Sequence, residues 1–210
     1  MAKKKIKHIA IAGNIGAGKT TLTKLLAKNF NWDAQLEEVD HNPYLNDFYD
    51  DMPRWSFNLQ IFFLNSRYQQ IIAIKDNEKP IIQDRTIYED AEIFAPNLHK
   101  MGLMSSRDFK NYKSLYESII SQVKPPDLMI YMKASIPTLV DNIQKRGRDY
   151  EDSIRLDYLK KLNEFYNSWI NNYSHGKILV IDCDKLNFVD NKEHLAEIYN
   201  KVQTELHGLF

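Results

Sequence analysis

Residues 13 to 20 read Gly-Asn-Ile-Gly-Ala-Gly-Lys-Thr and follow directly on the apolar run Ile9-Ala10-Ile11-Ala12. A strand that ends in such a loop, with a helical pattern starting near Thr20, constrains the chain more than any other feature. The glycines let the backbone turn so tightly that successive N–H groups converge on one point, and the next helix adds the positive end of its dipole. The loop is therefore a cradle for phosphate. Gly13, Asn14, Ile15, Gly16, Ala17, Gly18, Lys19, Thr20 and Thr21 are its candidate ligands, with Lys19 reaching the β- and γ-phosphates and the Thr20 hydroxyl holding Mg²⁺. Three of the chain's seven glycines fall inside this octapeptide, which makes an ordinary glycine-rich turn a poor account of it. The motif implies nucleotide binding and leaves open what is done with the nucleotide.

Five short segments rich in Ile, Val and Leu, at 7–12, 34–39, 80–84, 127–133 and 177–182, alternate with longer stretches that carry apolar residues at helical spacing, at 55–74, 108–123, 136–145 and 154–173. Continuous apolar runs such as Leu128-Met129-Ile130-Tyr131-Met132 suit strands buried on both faces, which a parallel sheet covered by helices requires. The expected class is α/β, a five-stranded parallel sheet flanked by helices on both faces. No linker divides the 210 residues, so one domain spanning 1–210 is expected. Lys plus Arg equals Asp plus Glu at 28 each, which provides no global field to gather nucleic acid or an anionic membrane. The basic residues Lys3, Lys4, Lys5 and Lys7 read as a solvated end. Cys183, the only cysteine, cannot form an internal disulfide, and no apolar run reaches transmembrane length. A cytoplasmic setting is the expectation.

In open parallel sheets ligands bind beyond the carboxyl ends of the strands, and polar residues gather there. Glu37 and Glu38 close the second segment, where one of the pair could take the proton of an alcohol acceptor; the plainer reading is a pair of solvated surface charges. Asp84-Arg85-Thr86 closes the third, offering an aspartate toward Mg²⁺ and a guanidinium to stabilise phosphoryl charge, or else a structural ion pair. Arg146 and Arg148 end an amphipathic stretch and suit a lid, near 142–152, that closes over a triphosphate, although arginines at a helix end also favour its dipole. Gln60 and Arg67, seven apart and so on one helical face, lie among Phe57, Phe62 and Phe63; such a wall suits a nucleobase, and an exposed polar stripe is the alternative.

Together these residues resemble the deoxyribonucleoside kinase family over residues 7–190. The phosphate loop carries the family's Asn14 and Ile15, Glu37-Glu38-Val39 resembles its Glu-Pro-Val segment, Trp55-Ser56-Phe57-Asn58-Leu59-Gln60 matches its Trp-Ser-Phe-x-x-Gln helix, and Asp84-Arg85-Thr86 resembles its Glu/Asp-Arg-Ser segment. The resemblance implies a P-loop NTPase-type fold and ATP-dependent phosphorylation of a deoxyribonucleoside 5′-hydroxyl with Mg²⁺. It puts the catalytic base on Glu37, with Glu38 the second choice because Pro is missing, and assigns catalysis also to Arg85 and Lys19. It implies metal contacts at Thr20 and Asp84, base contacts at Gln60, Phe63, Arg67 and Asp90, and sugar contacts at Tyr49 and Glu151. A basic lid position of the family is Asn142 here, and residues 184–188 loosely match the segment framing adenine. Arg67 with Asp90 resembles the purine- and cytidine-accepting members more than the thymidine-preferring ones, and Glu-x-Val followed by Asn42-Pro43-Tyr44-Leu45 is similar to the bacterial deoxyadenosine and deoxyguanosine kinases. Deoxyadenosine is the expected substrate, with deoxyguanosine, deoxycytidine or broad specificity as alternatives. A homodimer is implied by resemblance alone, and no nucleic-acid or membrane partner is expected. From another class, a nucleotide-dependent switch remains open, although Asn191-Lys192-Glu193-His194 lacks the final acid of a guanine reader.

Overall fold

The computed structural model describes residues 6–37, 42–148 and 154–208. The elements run β1 (His8–Gly13), α1 (Lys19–Phe30), β2 (Asp33–Gln35), α2 (Leu45–Asp50), α3 (Met52–Asp76) and β3 (Ile81–Asp84). Next, α4 (Ile87–Glu89) continues through a π-helical turn (Asp90–Phe94) into α5 (Ala95–Lys100). They end with α6 (Ser106–Ile120), β4 (Leu128–Lys133), α7 (Ile136–Arg146), α8 (Leu156–Asn172), β5 (Ile178–Asp182) and α9 (Lys192–His207). The five strands pair in parallel in the order β2-β3-β1-β4-β5.

Alternation along β1 and β4 splits the interior into two cores. Ala10, Ala12, Met129 and Tyr131 face α3, the π-helical turn and α8, where small alanines leave room for the rings of Tyr131 and Tyr166, stacked 5.9 Å apart. Ile9, Ile11, Leu128, Ile130 and Met132 face the other way, against Leu22 and Leu26 of α1, Leu139 of α7 and Ile198 of α9. The register sets Ile11 beside Asp84, so the phosphate loop and the Asp84-Arg85 turn leave the sheet side by side. Among the described residues no helix is long and apolar enough to cross a membrane.

The differences from the sequence reading have local causes. Helix α3 starts three residues before Trp55 because the Asp51 carboxylate accepts from Arg54 N–H and Pro53 fits a first turn whose N–H groups need no partner. Strand β2 stops at Gln35, so Leu36 and Glu37 stand beyond the sheet; Glu38 and Val39 lie outside the described residues. Helices α2, α5 and α9 escaped the sequence reading. The first two are six residues each, too short for a periodic signal. Lys7 is not simply solvated: its Nζ donates to the Asn77 carbonyl at 2.5 Å. Lys3, Lys4 and Lys5 lie outside the described residues.

Candidate active site

The loop after β1 is shaped by glycine and braced by two helices. Gly16 and Gly18 hold φ of +84° and +88°, left-handed values at which a side chain is strained. A Cβ on Gly16 would also lie 2.5 Å from the Leu139 carbonyl oxygen and 2.9 Å from Ile143 Cγ1, so α7 packs directly on the bare backbone. Asn142 Nδ2 of the same helix donates to the Gly16 carbonyl at 2.8 Å. From α8, the Leu159 carbonyl accepts from Asn14 Nδ2 at 3.2 Å, while Asn14 Oδ1 accepts from Ile15 N–H at 2.8 Å. Asn14 thus folds the loop from within instead of facing the cavity. Lys19 Nζ donates to the Asn14 carbonyl at 3.0 Å. Burial, helped by the nearby Arg85 and opposed by Asp84, Glu37 and Glu89, brings the Lys19 ammonium down to about 8. Thr20 Oγ1 donates to Asp84 Oδ2 at 2.5 Å, and Asp84 Oδ1 is buried with no hydrogen-bond partner.

Arg85 sits where β3 ends, at φ +68°, a value a non-glycine residue holds only when its surroundings force it. Its N–H donates to the Ile11 carbonyl at 2.9 Å, and its guanidinium lies 4.4 Å over the Phe94 ring. Nε contacts Glu37 Oε1 at 2.8 Å and Nη1 donates to Tyr166 OH at 2.9 Å. A second arginine reaches the same oxygen: Arg67 Nη2 to Glu37 Oε1 is 2.7 Å. Burial alone would raise the Glu37 carboxyl, but Arg85, Arg67, Lys19 and Arg148 outweigh it and bring the group down to about 2. Glu37 is therefore an anion whose Oε1 is held by two arginines. It is no solvated surface charge, since its side chain is only 17% exposed.

These groups open on one cavity of about 770 Å³. Its wall takes in residues 15–21 of the phosphate loop, then Glu37, Tyr49, Gln60, Phe63, Arg85 and Asp90, and also Arg146, Arg148, Phe188 and Asp190. Gln60 and Arg67 are 2% and 0% exposed, which removes the reading of an exposed polar stripe. Arg67 stands behind the wall, not on it, between Glu37 and Asp90; Asp84, Gly13 and Asn14 are likewise one layer back. Gly13 N–H is already taken by Glu89 Oε1 at 3.1 Å. Glu38 and Glu151 lie outside the described residues.

Three buried polar atoms of the acceptor half lack hydrogen-bond partners: Gln60 Oε1, Arg67 Nε and Asp90 Oδ2. The last two are 3.5 Å apart. Burial lifts the Asp90 carboxyl to about 7 against the pull of Arg67 and Arg85. Arg67 Nε and Asp90 Oδ2 face each other as an ion pair, which leaves Gln60 Oε1 orphaned on the aromatic-walled cavity, and an orphaned polar atom there suits a polar, flat ligand. Asp90 is the first residue of the π-helical turn.

Glu89 was missed by sequence reading. It is fully buried; Oε2 accepts from Thr86 N–H at 2.8 Å, and Oε1 from Gly13 N–H and Tyr166 OH at 3.1 and 2.7 Å. It ties the phosphate loop, Arg85 and α8 together. The available signal was the Thr86-x-x-Glu89 spacing of a capping box, which the structure forms. Tyr158 and Leu45, also on the cavity wall, gave no signal beyond apolar periodicity.

A family model described as Deoxynucleoside kinase matches residues 9–207. The chain belongs to the deoxynucleoside kinase family. It is 36% identical over 201 residues to the deoxyadenosine/deoxycytidine kinase of Bacillus subtilis (strain 168), covering 95% of this chain and 93% of that one. It is 41% identical over 191 residues to the deoxyadenosine kinase of Dictyostelium discoideum, covering 91% and 77% respectively. Among solved structures, the deoxyadenosine kinase from M. mycoides with products dCMP and a flexible dCDP bound superposes with a TM-score of 0.84 at 31% identity, covering 94% of this chain and 99% of that one. The protein is a phosphotransferase that phosphorylates a deoxynucleoside, with the P-loop NTPase fold of its structural neighbours. Membership in this family displaces the regulatory switch.

Proposed function

We propose that the chain transfers the γ-phosphoryl group of ATP to the 5′-hydroxyl of a deoxynucleoside, with deoxyadenosine preferred. The supporting observation is the cavity in which a phosphate loop and an arginine-held carboxylate adjoin Gln60 and Asp90, buried polar side chains on an aromatic wall, Gln60 Oε1 being without a partner. The nucleoside lies in the half lined by Gln60, Phe63 and Asp90, with Tyr49 and Glu151 at the sugar. The triphosphate lies on residues 15–21, with Gly13 and Asn14 shaping the loop from behind and Arg146 and Arg148 closing over it, within a lid at 142–152 of one domain spanning 1–210.

Glu37 Oε2 accepts the proton of the 5′-hydroxyl as O5′ bonds to the γ-phosphorus and the bond to the β,γ-bridging oxygen breaks. A phosphoryl transition state is loose, with the proton leaving late, so a carboxylate serves more by orienting the hydroxyl than by basicity. That suits a group held near 2. Lys19 and Arg85 neutralise charge on the transferred group and the leaving diphosphate. The family's Mg²⁺ fits the hard oxygen donors Thr20 Oγ1 and Asp84 Oδ1, the latter unpartnered. When bound it supplies further charge neutralisation at the triphosphate.

Base preference follows from the acceptor half. Ionised Asp90 accepts from an amino group and Gln60 offers a donor beside an acceptor, a pattern met by adenine N6–H₂ with its ring nitrogens and by the cytosine amino edge. Thymine carries a carbonyl where the amino group should be, leaving Asp90 and Gln60 unpaired, and unpaired buried groups discriminate strongly. The larger purine fills more of the aromatic wall, which places deoxyadenosine ahead of deoxycytidine; relatives that are deoxyguanosine kinases keep that nucleoside as the alternative. A panel of deoxynucleosides and ribonucleosides with ATP and Mg²⁺ tests the reading. Highest kcat/KM on deoxyadenosine supports it, and preference for thymidine overturns it. The working form is a cytoplasmic homodimer by family resemblance, which sedimentation equilibrium tests as to assembly.

A further inference from the structure

A chain of polar side chains crosses the molecule beneath the cavity, and only its last member meets substrate. His8 Nε2 of β1 stands 3.0 Å from Gln83 Oε1 of β3. Gln83 Nε2 donates to Gln70 Oε1 of α3 at 2.8 Å, and Gln70 Oε1 also accepts from Arg67 Nη1 at 3.4 Å. Gln70 Nε2 donates to the Leu36 carbonyl at 3.0 Å. Arg67 then closes on Glu37 at 2.7 Å.

The order of donors and acceptors has one solution. Flipping the Gln70 amide would turn its NH₂ toward two donors and its oxygen toward a carbonyl, so its orientation is fixed. Gln83 is fixed in turn, because its NH₂ is committed to Gln70, and His8 must carry its hydrogen on Nε2. Burial brings His8 down to about 4, so the ring is neutral near pH 7 and the chain holds one arrangement there.

We infer that Gln70, locked by Gln83 and His8, is a positioning residue for Glu37: it holds the peptide that carries Glu37 through the Leu36 carbonyl and steadies Arg67, which binds Glu37 Oε1. The inference rests on the reading of Glu37 as acceptor of the 5′-hydroxyl proton. Strand pairing between β2 and β3 ends at Gln35, so nothing in the sheet fixes Leu36 and Glu37. Gln70 takes over where the ladder stops, and its own carbonyl holds Gln35 Nε2 at 3.3 Å. A displacement of about 1 Å at a reacting group is enough for losses up to 10²-fold.

The test is a cycle of Glu37→Gln, Gln70→Leu and the double variant, with kcat and both KM values measured on folded protein. Gln70→Leu is expected to lower kcat on the order of tenfold, the weight of one hydrogen bond held against a charged partner. KM for ATP should stay within about twofold, because Gln70 touches nothing of the phosphate loop. In the Glu37→Gln background the Gln70 effect should vanish, since residues acting through one another are not additive. Should Gln70→Leu fail to fold, Gln70→Glu keeps an oxygen for Arg67 and Gln83 but lacks the Leu36 donor, and the same kcat loss is expected. Losses that multiply in the double variant, or an unchanged kcat in a folded Gln70 variant, overturn the inference while leaving Glu37 in its role. Wild-type turnover by Glu37→Gln alone overturns both.

Discussion

Replacing Glu37 by Gln isolates the proton acceptor with little else disturbed. Glutamine keeps an oxygen where Oε1 meets Arg67 and Arg85, at 2.7 and 2.8 Å in the native site, so both guanidinium groups retain an acceptor. The lost charge weakens two charged hydrogen bonds, a cost of about 1–3 kcal/mol in stability, which a folded domain tolerates. The catalytic loss follows from what changes at Oε2, where an amide NH₂ can neither orient the hydroxyl as an acceptor nor take its proton. A general base commonly supplies about 10²–10⁴-fold, and the gain shrinks as its pKa falls below the working pH. With Glu37 held near 2, the expected drop in kcat lies at the low end, about 10²-fold. Single-turnover rates at saturating ATP and deoxyadenosine separate this chemical step from product release, and calorimetry should show ATP affinity within about threefold of the native enzyme. A single-turnover rate within threefold of native, or a loss that appears in Glu38→Gln instead, refutes the reasoning.

Free Lys19 loses its proton above about 8, whereas a bound triphosphate favours the charged ammonium, so ATP affinity should fall as pH rises through 8 and binding at pH 9 should take up a proton. Calorimetry in two buffers of different ionisation enthalpy reads that uptake, and its absence removes Lys19 from the phosphates. Asp90, raised to about 7 by burial, is protonated on the acid side; kcat/KM for deoxyadenosine should therefore decline below pH 7, and Asp90→Asn should abolish that limb. Gly16→Ala combines a φ of +84° with a clash at the Leu139 carbonyl and should lower the melting temperature by several degrees, whereas Gly147→Ala, with its nearest neighbour at 3.9 Å, should cost only the roughly 1 kcal/mol of a left-handed residue. Replacing Arg67 and Asp90 together by apolar residues should relax discrimination against thymidine and, because Arg67 also grips Glu37, should lower kcat on every nucleoside.

What the sequence disclosed and what it withheld divide along a physical line. The phosphate loop, the alternation of apolar strands with amphipathic helices and the Asp84-Arg85-Thr86 segment were legible because each depends on local rules: a turn only glycine makes, a periodicity, a residue at a strand end. The sheet and most of its helices follow from them. Glu37 was legible as a carboxylate near the phosphates but not as an anion gripped by two arginines, since Arg67 comes from thirty residues away in sequence. Glu89, Gln70 and Gln83 are polar residues of ordinary type at ordinary helix and strand positions. Their meaning arises only when parallel strands bring β1 and β3 into register and α3 lies across them. Only Glu89 left a trace, the capping-box spacing from Thr86.

The two arginines show why this layer matters more than its legibility indicates. A lone buried carboxylate at the end of β2 would take up a proton and lose its use as an acceptor. Arg67 and Arg85 prevent this, but each is itself a buried charge, and one carboxylate cannot serve two. Asp90 stands 3.5 Å from Arg67, and Glu89 3.7 Å from Arg85. The result is two guanidinium groups and three carboxylates sharing one desolvated space, with Glu37 held by both arginines, Asp90 beside Arg67 and Glu89 beside Arg85. In such a network Asp90, proposed to read the base, and Glu37, proposed to meet the sugar hydroxyl, share Arg67 between them. Substitution at the base-reading end therefore reaches the chemistry through one guanidinium, and the Arg67→Met variant should lose turnover and base discrimination together, whereas Asp90→Asn should alter discrimination with a smaller fall in kcat. Equal kcat losses from the two would show that the acids are held independently of Arg67.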